Sequence, residues 1–214
     1  MNAERSDSII RLLVADDHPV VRAGIAGLIE AEADMTVVAQ ADNGELAFEA
    51  WKVHRPDVTL MDLQMAGFDG VDAIARIRAF EPKARIVVLT TYSGDVQAAR
   101  ALKAGACGYL LKTMIRADML RAIRTVHAGN DFVAPALTAA INAHADQQKL
   151  SQREMEVLRL VAKSGRNKVA ASAMGLSEAT VKVHMKNILA KLKATDRVQA
   201  VMIAIRRGII DIDR

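Results

Sequence analysis

A chain of 214 residues is long enough for one large domain or two small ones, and its single cysteine excludes an internal disulfide and suits a reducing compartment. Residues 1–8 hold no apolar stretch of the signal-peptide kind, and no apolar run approaches the roughly 20 residues a membrane-spanning helix needs, so a soluble cytoplasmic protein with no membrane partner is expected. The overall charge of +4 is unevenly divided: residues 1–130 carry 15 Lys and Arg against 17 Asp and Glu, a net of −2, while residues 131–214 carry 14 against 8, a net of +6, the electrostatic footprint of a nucleic-acid partner.

The first 130 residues alternate β-type and helix-type patterns. The spacing predicts strands near 10–15, 36–41, 58–62, 85–90 and 108–111, and helices near 19–31, 44–54, 71–80, 95–104 and 116–128. Pro19 suits a first helical turn, and Gly105 and Gly129 stand where helices would stop. Five β–α units of this size imply an α/β fold, a doubly wound parallel sheet with helices on both faces. A linker is expected over 131–149, with Pro135 to Ile141 as a short helix leading into the polar stretch 142–149.

From residue 150 the pattern is purely helical. Ser151-Gln152-Arg153-Glu154 has capping-box spacing ahead of Val157, Leu158, Leu160 and Val161. Residues 167–174 form a short helix, Gly175-Leu176-Ser177 a tight turn with Ser177 as N-cap, and 178–193 the next helix. Asp196 caps a last helix through 207, whose Val198, Val201, Ala204 and Ile205 make an apolar stripe. Two helices joined by a short glycine-containing turn are the signature of a helix-turn-helix.

The chemistry gathers at predicted strand ends. Residues 9–15 end in Asp16-Asp17, 56–61 in Asp62, 84–89 in Thr90, and 108–111 in Lys112. In an open parallel sheet these ends share one edge, where ligands bind. Three carboxylates, a hydroxyl and a lysine converge there. Clustered carboxylates repel unless a cation neutralises them, and a hard, oxygen-liking ion such as Mg2+ is the simplest solution. Read one at a time, these are ordinary polar strand ends; in this order and register they point to a site.

Asp16-Asp17-His18-Pro19, Met61-Asp62-Leu63-Gln64-Met65, Leu89-Thr90-Thr91 and Ala104-Gly105-Ala106-Cys107-Gly108-Tyr109-Leu110-Leu111-Lys112 resemble a bacterial two-component response regulator. Ser151 to Leu158, Asn167-Lys168, Gly175 to His184 and Lys191-Leu192 resemble the LuxR-type helix-turn-helix, which points to the NarL/FixJ family over nearly the whole chain. The resemblance implies a flavodoxin-like, five-stranded receiver domain (1–130) in strand order 2-1-3-4-5, a linker (131–149) and an all-α DNA-binding domain (150–214). It implies that Asp62 accepts a phosphoryl group from a sensor histidine kinase. Asp17, Asp62 and the Gln64 carbonyl would ligate Mg2+, with Asp16 helping through water. Lys112 and Thr90 would engage the phosphoryl group, and Tyr109 would swing inward as Thr90 is drawn to it. Homodimers would bind double-stranded DNA. Two departures stand out: Ala66 and Thr113 occupy positions where many receivers have proline.

On a helical wheel of residues 178–193, Val181, Met185, Ile188 and Leu192 form the buried stripe, and Val183 lies almost opposite, flanked by Lys182 and Lys186. A solvent-facing valine between lysines does little for stability but suits a major groove, where Val meets a thymine methyl and Lys a guanine edge or phosphates. The family pattern gives Lys182, Val183 and Lys186 to the groove, and Lys168, Thr180 and Asn187 to the DNA backbone. Lys191 and Lys193 read as a solvated face, and His184 as a packing or phosphate-facing residue. The five histidines show no metal-ligand spacing, and Cys107 reads as a small packed residue rather than a redox sensor. Val169-Ala170 replace the usual Glu-Ile, and a smaller residue at 170 is expected to weaken packing between the two key helices.

Two rivals remain. In one, the receiver works without phosphate as a protein-interaction module. In the other the chain is an enzyme, against which no P-loop, Gly-x-Ser-x-Gly or His-Glu-x-x-His motif appears.

Overall fold

The computed structural model describes residues 9–65, 67, 69–91, 94–113, 116–143 and 149–210; Met1 to Ser8, Ala66 and residues 144–148 of the linker, His144 included, lie outside the described residues. Packing divides the chain into two compact units, Met1–Thr91 with Ala99–Pro135, and Tyr92–Ala98 with Ala136–Arg214.

The α/β unit runs β1 (Ile10–Ala15), α1 (Pro19–Glu30), β2 (Met35–Ala41), α2 (Gly44–His54), β3 (Val58–Met61), α3 (Gly70–Phe80), β4 (Ile86–Thr90), α4 (Asp95–Ala104), β5 (Gly108–Leu111), α5 (Arg116–His127) and β6 (Phe132–Val133). The strands are parallel, in the order β2-β1-β3-β4-β5-β6. Alternation sorts the side chains by face. Leu12, Val14, Val58, Leu60, Val87, Leu89 and Leu110 pack with Ile25 and Ile29 of α1 and with Met119, Leu120, Ile123 and Val126 of α5. The alternate residues Leu13, Met61, Val88 and Tyr109 are buried too, and α2 packs on β1, β2 and α3. Each fully buried side chain of this size contributes roughly 1.5–3 kcal/mol, so the strand ends are held in fixed register. Pro19 opens α1, Asn43 caps α2 through the Leu46 N–H, and Asp69 caps α3 through the Val71 N–H.

The expected five strands need a correction: there is a sixth. After α5 and the turn at Gly129, the Phe132 N–H donates to the Cys107 carbonyl at 2.8 Å, and Phe132 and Val133 pair with Gly108 and Tyr109. This covers backbone that β5 would otherwise leave as an open edge. Part of the stretch read as linker is therefore structured, since β6 and α6 (Pro135–Ala143) both fall within it.

The helical unit contains α7 (Gln152–Ser164), α8 (Asn167–Met174), α9 (Glu178–Leu192) and α10 (Arg197–Arg206). The capping box forms as expected: Ser151 N–H donates to Glu154 Oε2 at 2.6 Å and Glu154 N–H to Ser151 Oγ at 3.2 Å. Ser177 caps α9, Asp196 caps α10, and Gly175 turns the chain between α8 and α9 at φ 63°. Val157, Leu158 and Val161 of α7 form one core with Val181, Met185, Ile188 and Leu192 of α9. Ala170 is fully buried in that core. No helix among the described residues is long and apolar enough to cross a membrane.

Candidate functional site

Parallel register brings the strand ends to one edge, and hydrogen bonds beyond the strands carry it to the site residues. Asp16 N–H donates to the Ala41 carbonyl at 3.0 Å, Asp62 N–H to the Ala15 carbonyl at 2.8 Å, and Lys112 N–H to the Thr90 carbonyl at 2.7 Å. Asp62 thus sits beside Asp16-Asp17, and Lys112 beside Thr90. Lys112 Nζ lies 2.7 Å from both Asp16 Oδ2 and Asp62 Oδ2. Asp16 is 1% exposed and Asp62 2%, while Lys112 keeps only 10% of its side chain in water. Two buried carboxylates therefore share one ammonium, an excess of one negative charge at a nearly dry spot, with the part-exposed Asp17 next in the chain. Burial pushes the Asp62 carboxyl above its usual range, although the Lys112 hydrogen bond and charge and the Gln64 N–H (3.1 Å to Oδ1) pull the other way. Burial alone would lower the Lys112 ammonium, but hydrogen bonds to Asp16 and Asp62 and their charges raise it instead. This donor set fits a hard divalent cation, which would cancel the excess charge.

Thr90 is fully buried at the end of β4, and Gln64 is half-buried beside Asp62. Tyr109 is buried as well, so its ring already packs inward. Burial pushes its phenol well up, and the charge of Asp62 adds to the rise.

Sequence reasoning missed three residues here. His18 places Nδ1 2.8 Å from Asp17 Oδ1 and 3.4 Å from Asp16 Oδ1. The absence of ligand spacing is therefore corrected for His18, which belongs to a group with Asp16, Asp17 and Asp62 whose ligand atoms lie within 4.8 Å of one another. Its signal was the contiguous Asp-Asp-His, hidden because spacing was sought among histidines alone. Arg22, one turn into α1, donates Nη1 to the Asp16 carbonyl at 2.5 Å. Gly70 closes the floor: a Cβ there would run into the Asp62 carbonyl oxygen and come within 2.8 Å of Leu63 Cα. No sequence signal distinguished it from other helix-start glycines.

In the helical unit the wheel holds. Val181 and Ile188 are fully buried, Met185 and Leu192 nearly so, and Val183 is 59% exposed. Lys182, Lys186 and Asn187 are exposed along α9, Thr180 at its start, and Lys168 on α8. Lys182 Nζ lies 3.3 Å from Glu178 Oε1, one turn back. Thr180 takes part in the cap: its N–H donates to Ser177 Oγ at 3.0 Å, and the two hydroxyls are 2.8 Å apart. His184 is half-buried. Lys191 is not solvated as expected; its Nζ lies 2.7 Å from Oε2 of buried Glu154, tying α9 to α7. Burial would raise the Glu154 carboxyl, but Lys191 and the Ser151 hydrogen bonds hold it below its usual range.

Comparison with known proteins agrees with both halves. The response regulator receiver domain matches residues 12–124, and the luxR family of bacterial regulatory proteins matches residues 148–204. The transcriptional regulatory protein LnrK of Bacillus subtilis is 35% identical over 217 residues, covering 94% of this chain and 99% of LnrK. The nitrate/nitrite response regulator protein NarL of Escherichia coli K12 is 37% identical over 198 residues, covering 88% of this chain and 92% of NarL. Among solved structures, the response regulator ChrA of a heme-sensing two-component system superposes with a TM-score of 0.57 at 33% identity, over 95% of this chain and all of ChrA. The chain belongs to the NarL/FixJ family of two-component response regulators: it is a transcription regulator, not an enzyme, with a receiver domain followed by a LuxR-type DNA-binding domain.

Proposed function

We propose that this regulator is switched by phosphorylation of Asp62 by a sensor histidine kinase, and that the switch controls dimerisation and DNA binding. The observation that carries the reading is the buried Asp16–Lys112–Asp62 arrangement, in which two carboxylates share one ammonium and leave one negative charge uncancelled. Asp62 supplies a carboxylate oxygen that attacks the phosphorus of a phosphohistidine. The P–N bond breaks and the imidazole leaves as the neutral ring, its proton supplied by solvent. Asp17, Asp62 and the Gln64 carbonyl would hold Mg2+, with Asp16 beyond them; Mg2+ supplies charge neutralisation on the phosphoryl oxygens. Lys112 is poised to exchange its carboxylate partners for a phosphoryl oxygen, and the Thr90 hydroxyl to donate to another, with Tyr109 packing behind it.

The helical unit would read DNA through Lys182, Val183 and Lys186 in the major groove, with Lys168, Thr180 and Asn187 on phosphates. Homodimers would engage paired half-sites in the cytoplasm. Genome-wide mapping of bound sites tests this function. Occupancy is expected to rise under kinase activation and to stay at its unstimulated level in an Asp62→Asn strain. Equal occupancy in both strains would favour the phosphate-independent alternative, in which the receiver is an interaction module.

A further inference from the structure

Asp16 and Asp17 are consecutive, and on a continuing strand their side chains would point to opposite faces of the sheet. Both nevertheless reach one place: oxygens of Asp16, Asp17 and Asp62 lie within 4.8 Å of one another. The chain does this by bending at Asp17, just past the last ladder pairs of Ala15 with Ala41 and Met61. The bend takes the Asp16 carbonyl out of the ladder in a residue only 1% exposed, where an unanswered acceptor is costly. Arg22, half-buried on α1, answers it. Its Nη1 donates to the Asp16 carbonyl at 2.5 Å, and its own backbone N–H donates to the His18 carbonyl at 3.0 Å. A guanidinium on a carbonyl makes a charge-assisted bond, roughly twice as strong as a neutral one. No carboxylate among the described residues pairs with Arg22, so its charge is directed at this peptide alone.

We infer that Arg22 is a positioning residue of the phosphate-accepting site: by fixing the Asp16–Asp17 peptide it aims the Asp17 carboxylate at the cation. This rests on the reading of the cluster as a Mg2+ site. Without the Arg22 donor the peptide is free to rotate, and the ion must order Asp17 itself. The loss therefore falls on cation affinity. Asp62, Lys112 and Thr90 are set by their own strands, so the transfer step at saturating cation is kept.

Two variants of the intact chain test this. Arg22→Met keeps the apolar stem and removes the donor; Arg22→Lys returns a charged donor. Mg2+ is titrated calorimetrically without phosphodonor, counting only the heat that Asp62→Asn abolishes. Acetyl phosphate labelling is then timed across Mg2+ concentrations. Arg22→Met is expected to weaken Mg2+ by about tenfold or more, the loss typical when the partner of a ligating group is removed, and to leave the labelling rate at saturating Mg2+ within about twofold of wild type. Arg22→Lys is expected to recover part of the affinity. Wild-type affinity in Arg22→Met overturns the inference, as does equal weakening in both variants, because the donor would then not be what matters. A fall in the saturated rate at unchanged affinity also overturns it, since Arg22 would then act on the transfer itself. If the wild type binds no Mg2+ in an Asp62-dependent way, the cation-site reading fails and the inference with it, a result distinct from undiminished binding in Arg22→Met.

Discussion

Asp62 destabilises the protein it serves. Burial raises its carboxyl above the ordinary value of 3.8, so the charged form is disfavoured in the folded state. The sign follows: an acid with a raised folded pKa costs stability once the pH exceeds its unfolded value, and the cost vanishes on acidification below that value. Asp62→Asn is therefore expected to raise the thermal midpoint at pH 7 in Mg2+-free buffer, with the gap to wild type closing as the pH falls toward 4. A lower midpoint for the variant at pH 7 would contradict this. Glu154 is the opposite case. Its folded pKa is depressed, so it contributes stability above about 4.5 that is lost as the pH falls through the folded value. Lys191→Ala leaves that buried carboxylate without its counter-charge, held only by the Ser151 capping bonds. The expected loss is about 2–3 kcal/mol by denaturant titration, less than for a fully buried pair because Lys191 keeps 23% of its side chain in water. The wheel missed this clamp because Glu154 lies on another helix, 37 residues away in sequence.

At the scale of elements, α3 and α9 each make a separable claim. The start of α3 lies so close to the Asp62 backbone that Gly70→Ala must shift it. A displacement near 1 Å costs about 10²-fold in rate at a reacting centre, so phosphodonor labelling of the variant should slow by that order. Gly27→Ala in α1 is the control, because nothing lies within 4 Å of its added Cβ, and it should leave labelling unchanged. For α9, Val183→Ser is expected to cost about 1–3 kcal/mol of preference for a cognate over a scrambled duplex, with the salt dependence unchanged. Lys186→Ala should lower the salt slope by about one unit if it meets a phosphate. Titrations on both duplexes at several salt concentrations separate the two effects, and an unaltered cognate-to-scrambled ratio in folded Val183→Ser would refute the docking.

For the whole molecule, what the sequence disclosed depended on how local each signal was. β1, α1 and β5 fall where periodicity and helix signals put them, because Leu12/Val14 alternation, Pro19 and Gly105 act within a few residues of themselves. Asp16, Asp17, Asp62, Thr90 and Lys112 were legible because a parallel sheet collects strand ends by topology alone. β6 was not, since Phe132 and Val133 are too few for a period and become a strand only against β5. His18, Gly70 and the Glu154–Lys191 pair depend on distances that only the folded chain brings about. The claim uniting these levels is that one buried carboxylate receives the signal. Intact-mass analysis after incubation with acetyl phosphate and Mg2+ tests it most directly. One added phosphoryl group is expected in the wild type, less in Asp17→Ala and none in Asp62→Asn; labelling that persists in Asp62→Asn would contradict the account.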